Sequence, residues 1–399
     1  MKSVNLNILV INGGSSSIKF ALYGMDKKPN KILFGQIKRI GLDNPEFTIT
    51  NVLTNEKSGI KIDATNFKEA AELLLKWLKE QEYLEAIKCI GHRIVHGMEH
   101  KRPEIIDDNL LKELRKISKY DPDHLPAEIE MIELFKKKLP NLLQVGCFDT
   151  SFHTTLPKKA KTFALPKKYY EEGIKRYGFH GISYSYLMQE LKNNNESEAK
   201  GKIILAHLGN GASLAAVKEG KCIDTSMGFT PAGGIIMSTR SGDIDPGVAW
   251  YLMQEGLNAE AFNELINHQS GLLGISDFSS DMQDLLLREK KNKDAALAIE
   301  IFCYQIKKYI GAYTATLGGL DTLIFSGGIG ENAAVIRSLI CKGFAYLGIE
   351  IDEERNKKNE TIISTTNSKV TVYVIPTDEE IMIARETRKL YINDQIKTQ

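Results

Sequence analysis

Apolar residues along this chain recur in short runs that end in turns rich in glycine and small polar residues. Residues 8–11 form such a run, and after the turn the chain continues as a second apolar run over residues 18–23. Residues 203–217 repeat this arrangement, and residues 323–332 give an apolar run followed by a third glycine turn. Runs of this length bounded by glycine predict buried strands. Two strand–turn–strand units, one in each half, indicate a duplicated domain.

The first turn carries groups that suit the phosphates of a nucleotide. Gly13 and Gly14 have no side chain, so backbone N–H groups there can approach a ligand closely. Three serines add hydrogen-bond donors, and Lys19 adds a positive charge. The Walker A spacing is absent, and the residues after the turn alternate like a strand. The pattern therefore predicts a phosphate-binding hairpin, with an ordinary hairpin as the alternative for any single copy.

Helical and strand patterns alternate through the rest of the first half. Residues 67–78 place their apolar side chains on one helical face, and two further amphipathic helices are predicted near 108–118 and 127–138. Residues 87–96 and 143–149 are strand-like runs that end in charged or imidazole groups. This alternation predicts an α/β domain.

The second half contains a long irregular segment and two helices. Residues 223–247 are too rich in Gly, Pro, Ser and Thr for a helix, and long loops of this kind are usually functional. Residues 294–317 predict a long helix that ends at two glycines. We expect one α/β domain over residues 1–150 and a second, nucleotide-binding one over 151–378. The C-terminal helix, 379–399, is expected to pack back on the first domain.

Composition narrows the functional class. The chain has 399 residues, 42% of them hydrophobic and 26% charged, which is ordinary for a globular enzyme. A net charge of +1 argues against a nucleic-acid-binding protein, and no apolar stretch is long enough to span a membrane. The five cysteines are scattered, and there is neither a C-x-x-C pair nor a signal peptide pattern. We therefore expect a cytoplasmic protein.

Several arginines, histidines and aspartates lie at predicted strand ends or in glycine-rich loops. They include Arg93, Asp149, His180 and Arg240, and His124 lies in a Pro-punctuated loop. No H-E-x-x-H zinc motif or G-x-S-x-G esterase motif is present. Cationic groups from several loops are what phosphoryl transfer needs, since charge develops on the phosphate oxygens. For each residue taken singly, a surface or turn-capping role is the alternative.

Nine motifs in order along the chain resemble those of the acetate kinases. They are VINGGSSSIKF, GHRIVHG, FDTSFH, RYGFHG, HLGNGAS, DTSMGFTP, TRSGDIDPG, SGGIGEN and DEEIMIARET. The resemblance implies two similar ribonuclease H-like α/β domains with nucleotide in the interdomain cleft, as in the actin-like ATPase superfamily. It also implies a homodimer.

The resemblance assigns roles to the matching positions. The catalytic residues would be Asp149, as acid/base, and His180, Arg240 and His124. The acyl carboxylate would be bound by Arg93, in a pocket with Val95, Phe179 and Pro231. Mg²⁺, or alternatively Mn²⁺, would be held by Asn12 and Glu379. The nucleotide, ATP or ADP, would be bound by Lys19, His207, Leu208, Gly209, Asn210, Gly211, Asp281, Met282, Gln283, Gly328, Ile329, Gly330, Glu331 and Asn332.

The chain departs from the family pattern at four places. Met98 stands where the family usually has glycine, residues 232–234 replace Leu-Glu-Gly, and Gln283 replaces an arginine. Asp123 stands where a leucine of the methyl pocket is expected. An unpaired carboxylate in an apolar pocket is costly, so we expect Asp123 to turn outward and Leu125 to fill the apolar position.

The function expected from these observations is Mg²⁺-dependent phosphoryl transfer between ATP and a short carboxylate. Acetate is the first choice of acceptor, and propionate or another short-chain acid is the second. An acyl phosphate and ADP would form by direct in-line transfer. A sugar kinase is an alternative within the same superfamily. A non-catalytic, actin- or chaperone-like ATP-binding module is the alternative from another class.

Overall fold

The computed structural model describes residues 6–14 and 17–397. Ser15 and Ser16 of the first turn, residues 1–5, and residues 398–399 of the predicted last helix lie outside the described residues. The chain divides into two compact units. The first comprises Met1–Ser151 and Asp378–Gln399, and the second comprises Phe152–Thr377.

The strands of the described residues form one sheet in each unit. In chain order they are β1 (Asn7–Gly13), β2 (Ser17–Gly24), β3 (Lys31–Lys38), β4 (Glu46–Asn51), β5 (Lys57–Lys61), β6 (Ile87–Ile94), β7 (Glu104–Ile105), β8 (Leu143–Phe148), β9 (Lys202–Leu208), β10 (Ala212–Lys218), β11 (Lys221–Thr225), β12 (Thr322–Ser326) and β13 (Thr371–Val374).

Helices follow or separate these strands. They are α1 (Phe67–Glu80), α2 (Asp108–Ile117), α3 (Leu125–Lys138), α4 (Lys158–Lys161), α5 (Lys167–Glu171), α6 (Gly181–Asn194), α7 (Pro246–Gln254), α8 (Ala259–His268), α9 (Gly271–Ser276), α10 (Met282–Arg288), α11 (Lys293–Leu317), α12 (Gly327–Asn332), α13 (Ala334–Cys341), α14 (Glu353–Lys357) and α15 (Glu379–Lys397). Short 3₁₀ turns span Leu84–Ala86, Ser118–Tyr120, Ser151–Thr155, Glu198–Lys200 and Ala345–Leu347.

The two sheets share one arrangement of five strands. In the first sheet the order is β5-β4-β3-β2-β1-β6-β8-β7, and in the second it is β11-β10-β9-β12-β13. In each, the first strand pairs antiparallel with the second, the second pairs antiparallel with the third, and the first pairs parallel with the strand that follows the crossover. A further parallel strand completes both, β8 in one and β13 in the other. The predicted duplicated α/β fold is confirmed.

Helices bury the faces of both sheets. In the first unit, α1 and α3 pack with strand residues such as Leu9 and Phe20 in a continuous core. The helix α15 packs against β1, β6 and β8. In the second unit, α6 contributes Tyr184 and Leu187 to a core with strand residues that include Leu205. Covering on both faces explains why the central strands read as unbroken apolar runs.

Local signals mark the ends of several helices. Asn66 caps α1 by accepting from the backbone N–H of Glu69, and Gly318 ends α11 in the left-handed conformation. The third glycine segment is an exception. Residues 327–332, predicted as a turn, form the short helix α12, which β12 enters through Gly327 at φ +76°. Among the described residues, no helix combines the length and apolar character needed to cross a bilayer.

Candidate active site

The first unit brings Arg93 and Asp149 together at the carboxyl ends of two parallel strands. Arg93 lies near the end of β6 and Asp149 directly follows β8, and these neighbouring strands are parallel. Arg93 Nε and Nη2 donate to Asp149 Oδ2 at 3.0 and 2.5 Å, and Nη1 donates to the carbonyl of Gly13 at 3.3 Å. The side chain of Asp149 is 1% exposed and that of Arg93 is 17% exposed. The carboxyl ends of parallel strands are where α/β folds bind ligands.

Arg93 keeps both charge and donors for a further anion. Burial on its own lowers the pKa of the guanidinium, but attraction to Asp149, Glu379 and Glu128 outweighs burial and raises it. A guanidinium has five N–H donors, of which three are used. Within residues 6–14 and 17–397, the other two N–H groups donate no hydrogen bond. Arg93 can therefore bind the carboxylate of a ligand while it remains paired with Asp149.

Asn12 and Glu379 meet in the same unit and fit a magnesium site. Asn12 lies in β1, Glu379 is the first residue of α15, and Asn12 Nδ2 donates to Glu379 Oε2 at 3.3 Å. Burial raises the pKa of Glu379, while Arg93 and Lys19 lower it. A carboxylate in this environment is stabilised by a cation, and carboxylate and amide oxygens are what Mg²⁺ prefers. No cluster of three or more His, Cys, Asp or Glu with metal-binding geometry occurs in the described part of the chain. Because Mg²⁺ takes six ligands, two side chains leave most of its positions to water and to oxygens of a bound ligand.

Lys19 faces the same hairpin from its second strand. It lies in β2 opposite Asn12 in the antiparallel register, and its side chain is exposed. Its position permits contact with an anionic ligand beside Asn12.

Glu128 is a site residue that the sequence did not indicate. It lies in the first turn of α3, is 3% exposed, and accepts from the backbone N–H of Val95 through Oε2 at 3.1 Å. Val95, one of the predicted pocket residues, is itself 3% exposed. An acidic residue in a first helical turn ordinarily only complements the helix dipole, so the sequence gives no signal for this one.

The loop before α3 settles the placement of Asp123. Asp123 is exposed, whereas Leu125 is 0% exposed and packs with Ile94 and Phe148 in the core. The outward placement expected for Asp123 is confirmed. Leu125 fills an apolar position, but that position belongs to the core of the first unit. His124 is the N-cap residue of α3 and is half-buried.

In the second unit, His180 and Arg240 lie beside Gly211, and His207 stacks on His180. The rings of His180 and His207 stack with centroids 4.3 Å apart, and His180 Nδ1 lies 2.9 Å from Ser213 Oγ. A methyl group on Gly211 would lie 3.0 Å from His180 Nε2 and 3.6 Å from Arg240 Nη1. His180 is the N-cap residue of α6 and has φ +59°, a left-handed conformation that is uncommon for residues other than glycine.

The predicted glycine-rich nucleotide segments lie against each other. A methyl group on Gly209 would lie 3.7 Å from the backbone nitrogen of Gly328 and 3.8 Å from His207 Nε2. Gly327 must be glycine, because a side chain at its φ of +76° would also lie 2.7 Å from the carbonyl of Leu208. The backbone N–H groups of Gly209 and Gly327 are used within the fold, donating to the carbonyl of Gly211 and to Glu331 Oε1.

The remaining predicted nucleotide residues divide into internal and exposed positions. Leu208 and Gly330 are buried, Ile329 is half-buried, and Asn210 and Asn332 are exposed. Glu331 is committed to the fold, because its Oε1 accepts from the backbone N–H groups of Gly327 and Thr377 at 2.8 and 3.0 Å.

Arg337 holds this nucleotide segment in place and was also not predicted. It is 0% exposed, and its Nη1 donates to the carbonyls of Gly330 and Glu331 at 2.8 and 2.9 Å. Its other bonds join α13 to Asn356 in α14 and to Asn359. The arginine therefore fixes the C-terminal end of α12.

Residues 281–283 lie at the start of α10. Asp281 caps α10 by accepting from the backbone N–H of Gln283, Met282 is buried, and Asp281 and Gln283 are exposed. Within the described ranges, no hydrogen bond links them to His207–Gly211 or to Gly327–Asn332. Of the other pocket residues, Phe179 is 2% exposed and Pro231 is half-buried. Both belong to the second unit, whereas Val95 belongs to the first.

Comparison with known proteins decides the family. The model of the acetokinase family matches residues 7–385. The chain belongs to the acetokinase family. It is 45% identical to the acetate kinase of Carboxydothermus hydrogenoformans, over 97% of this chain and 100% of that protein. It is 44% identical to the acetate kinase of Phocaeicola vulgatus, over 96% and 98% of the two chains.

Solved structures of the family superpose closely on this one. A propionate kinase from Francisella tularensis gives a TM-score of 0.91 at 38% identity, covering 96% of this chain and 99% of the other. The acetate kinase of Porphyromonas gingivalis gives 0.87 at 40% identity, with the same coverage. The predicted family, fold and enzyme class are confirmed. This acetokinase is a phosphotransferase with a carboxyl group as acceptor, acting as an acetate kinase with ATP as its other substrate.

Proposed function

We propose that this acetokinase binds acetate through Arg93 and transfers the γ-phosphoryl group of ATP to it directly, with Mg²⁺ present. The observation that carries the proposal is the state of Arg93. Its guanidinium is fixed by Asp149 and by the carbonyl of Gly13, and two of its N–H donors remain for an anion.

The chemistry follows from the charges of the substrates. Acetate is ionised at pH 7, so the acceptor needs no general base. One carboxylate oxygen forms a bond to the γ-phosphorus while the bond from phosphorus to the bridging oxygen breaks, and its electron pair remains on ADP. Since two anions must meet, cationic groups that neutralise them lower the barrier.

Asp149 is proposed to act through Arg93. Its carboxylate accepts both Nε and Nη2, which fixes the plane of the guanidinium. Because the acceptor has no proton to give up, this orienting role needs no proton transfer. It takes the place of the acid/base role expected from the resemblance.

On the nucleotide side, His180 and Arg240 are proposed to stabilise negative charge on the transferring phosphoryl group, with His124 assisting from the first unit. His207–Gly211 and Gly328–Asn332 are proposed to bind phosphates through backbone N–H groups. Lys19 supplies a further cation, and residues 281–283 contact the nucleoside. Val95, Phe179 and Pro231 are proposed to enclose the methyl group of the acceptor.

Asn12 and Glu379 are proposed to hold the metal ion, Mg²⁺ or alternatively Mn²⁺. When bound, the ion would neutralise phosphate charge and orient the phosphates. The side-chain oxygen of Asn12 and the carboxylate of Glu379 would supply its protein ligands. Placement in the cytoplasm and assembly as a homodimer complete the proposal, and light scattering of the purified protein measures the latter.

Trapping the acyl phosphate with hydroxylamine tests the function. The enzyme is incubated with ATP, Mg²⁺ and a panel of acids from formate to butyrate, and the hydroxamate is measured. We expect the largest kcat/KM with acetate and a smaller value with propionate. Slow release of phosphate from ATP without hydroxamate from any acid would instead indicate a non-catalytic, chaperone-like module.

A further inference from the structure

Glu128 is an acidic residue that is buried next to the proposed carboxylate site. Burial is unusual for a side chain that can carry a charge. A methyl group on Gly13 would lie 2.8 Å from Met131 Cε and 3.7 Å from Glu128 Cγ, so these two side chains of α3 lie directly against Gly13. The carbonyl of Gly13 accepts from Arg93, and the backbone N–H of Val95 donates to Glu128. Glu128 therefore binds the backbone two residues after Arg93 and lies beside Gly13, whose carbonyl accepts from Arg93.

The two oxygens of this carboxyl group are unequal. Oε2 accepts from Val95 at 3.1 Å, whereas Oε1 is buried and has no hydrogen-bond partner among the described residues. A buried carboxylate oxygen without a donor is a costly state, and the neutral acid costs less. Burial raises the pKa of Glu128 to about 8, although attraction to Arg93 opposes this rise.

The charges around Arg93 also favour the protonated form of Glu128. Asp149, Glu379 and Glu128 all attract this one guanidinium. An anionic acceptor bound there adds another negative charge. With Glu128 ionised, the acceptor meets a third carboxylate that competes for the same positive charge.

We propose that Glu128 is a positioning residue of the carboxylate site that works in its protonated form, and that its ionisation weakens binding of the acceptor to Arg93. The inference rests on the proposed role of Arg93 as the carboxylate ligand. Because Oε1 is buried, Glu128 acts through Arg93 and Val95 and does not touch the acceptor.

Other charged groups near α3 could also influence the ionisation of Glu128. Besides Arg93 on β6, the groups that act on Glu128 are Asp149, after β8, and Asp121, in the loop before α3. The helices α1 and α2 meet α3 through surface ion pairs, which are Lys138–Glu72, Lys136–Asp108 and Arg115–Glu133.

The test compares Glu128→Gln with the wild type across pH. With ATP and Mg²⁺ saturating, we expect the wild-type KM for acetate to rise about tenfold between pH 7 and 9, the size of one pKa unit of interaction. Glu128→Gln keeps the acceptor for Val95 and cannot ionise, so its KM should stay within about twofold of the wild-type value at pH 7. The variant should show no rise. Glu130→Gln, an exposed residue of the same helix, should keep the wild-type profile.

Thermal unfolding gives a readout that is independent of activity. A carboxyl whose pKa is raised in the folded protein loses stabilisation as pH rises from its unfolded value, near 4.5, through its folded value. The melting temperature of Glu128→Gln should therefore gain on the wild type between pH 6 and 9. If Glu128→Gln does not fold, Glu128→Leu replaces it in both measurements.

Two results would overturn the inference: an undiminished rise in KM in the Gln variant, or a wild-type KM that is flat with pH. If no acid yields an acyl phosphate, the proposed function fails instead. The melting comparison then still decides the protonation state of Glu128.

Discussion

Arg93 and Arg337 are both shielded from solvent, but their hydrogen-bond partners differ in charge. Arg93 is held by the carboxylate of Asp149 and by one carbonyl. Arg337 is fully buried, and its bonds go to carbonyl oxygens of the backbone and of asparagine side chains. Within residues 6–14 and 17–397, no carboxylate pairs with Arg337.

The difference in their partners agrees with a proposed binding role for Arg93 and a structural role for Arg337. Arg337 makes five bonds to five different oxygens, so it has no N–H donor left for a ligand. Burial lowers its pKa to about 10, whereas carboxylates raise the pKa of Arg93. Spare donors and surplus negative charge therefore suit Arg93 to the ligand-binding role proposed for it. Saturation by neutral oxygens marks Arg337 as a structural one.

The largest effect on activity is expected when the charged partner of Arg93 is replaced by a neutral one. The partners of Arg337 are already neutral. Asp149→Asn removes the charge that fixes the guanidinium. We expect kcat to fall by about a thousandfold, the upper range for losing one preorganised electrostatic group. Steady-state kinetics with acetate and ATP measure this, and circular dichroism checks the fold. Asp108→Asn, which alters an exposed ion pair, is the control. An active Asn variant would exclude the proposed role.

A third arginine, Arg240, extends the comparison to the second unit. It is half-buried, lies near Gly211 and His180, and has Met237 Sδ 3.9 Å from Nη1. If it stabilises the transferring phosphoryl group, Arg240→Ala should lower kcat about a hundredfold with a small change in KM. Arg288→Ala, at an exposed arginine, serves as the control. A rise in the KM for acetate alone would assign Arg240 to substrate binding.

Replacing Arg337 tests its structural role. Lysine has three donors, so Arg337→Lys leaves at least two of the five oxygens without a partner. At about 1 kcal/mol or more for each, the free energy of unfolding should fall by at least about 2 kcal/mol. Urea unfolding measures this loss.

Arg115→Lys, in an exposed pair with Glu133, should change the free energy of unfolding by less than about 0.5 kcal/mol. The KM for acetate should not change in Arg337→Lys. An increase there would show that Arg337 also serves the carboxylate site.

The sequence predicts the parts of this molecule that depend on local signals. The hairpins β1–β2 and β9–β10 follow from apolar runs on either side of a glycine turn. The helix α12 does not, because its glycines are typical of a turn. It is held by contacts distant in sequence, through Arg337 and through Glu331, which accepts from Thr377.

The same limit applies to the site. Arg93 and Asp149 are recognisable as polar residues at strand ends, but their ion pair exists because β6 and β8 are neighbours in the sheet. Glu128 could not be predicted, since its burial depends on how α3 packs against β1 and β6. The placement of Asp123 was predictable, because the cost of burying a lone carboxylate holds whatever the topology.

The smallest effect is expected at Asp123, a carboxylate near the start of α3 that is exposed where Glu128 is buried. Because an exposed carboxylate is screened by water, its charge should have little influence on Arg93. Asp123→Leu should change the KM for acetate by less than about threefold, or about 0.7 kcal/mol. Asp123→Asn separates loss of charge from gain of apolar surface, and both variants are assayed with acetate and propionate. A tenfold or larger fall in KM for acetate in either variant would show that Asp123 reaches the acceptor site during turnover. The exposed and buried carboxylates of this loop and helix would then act on Arg93 together.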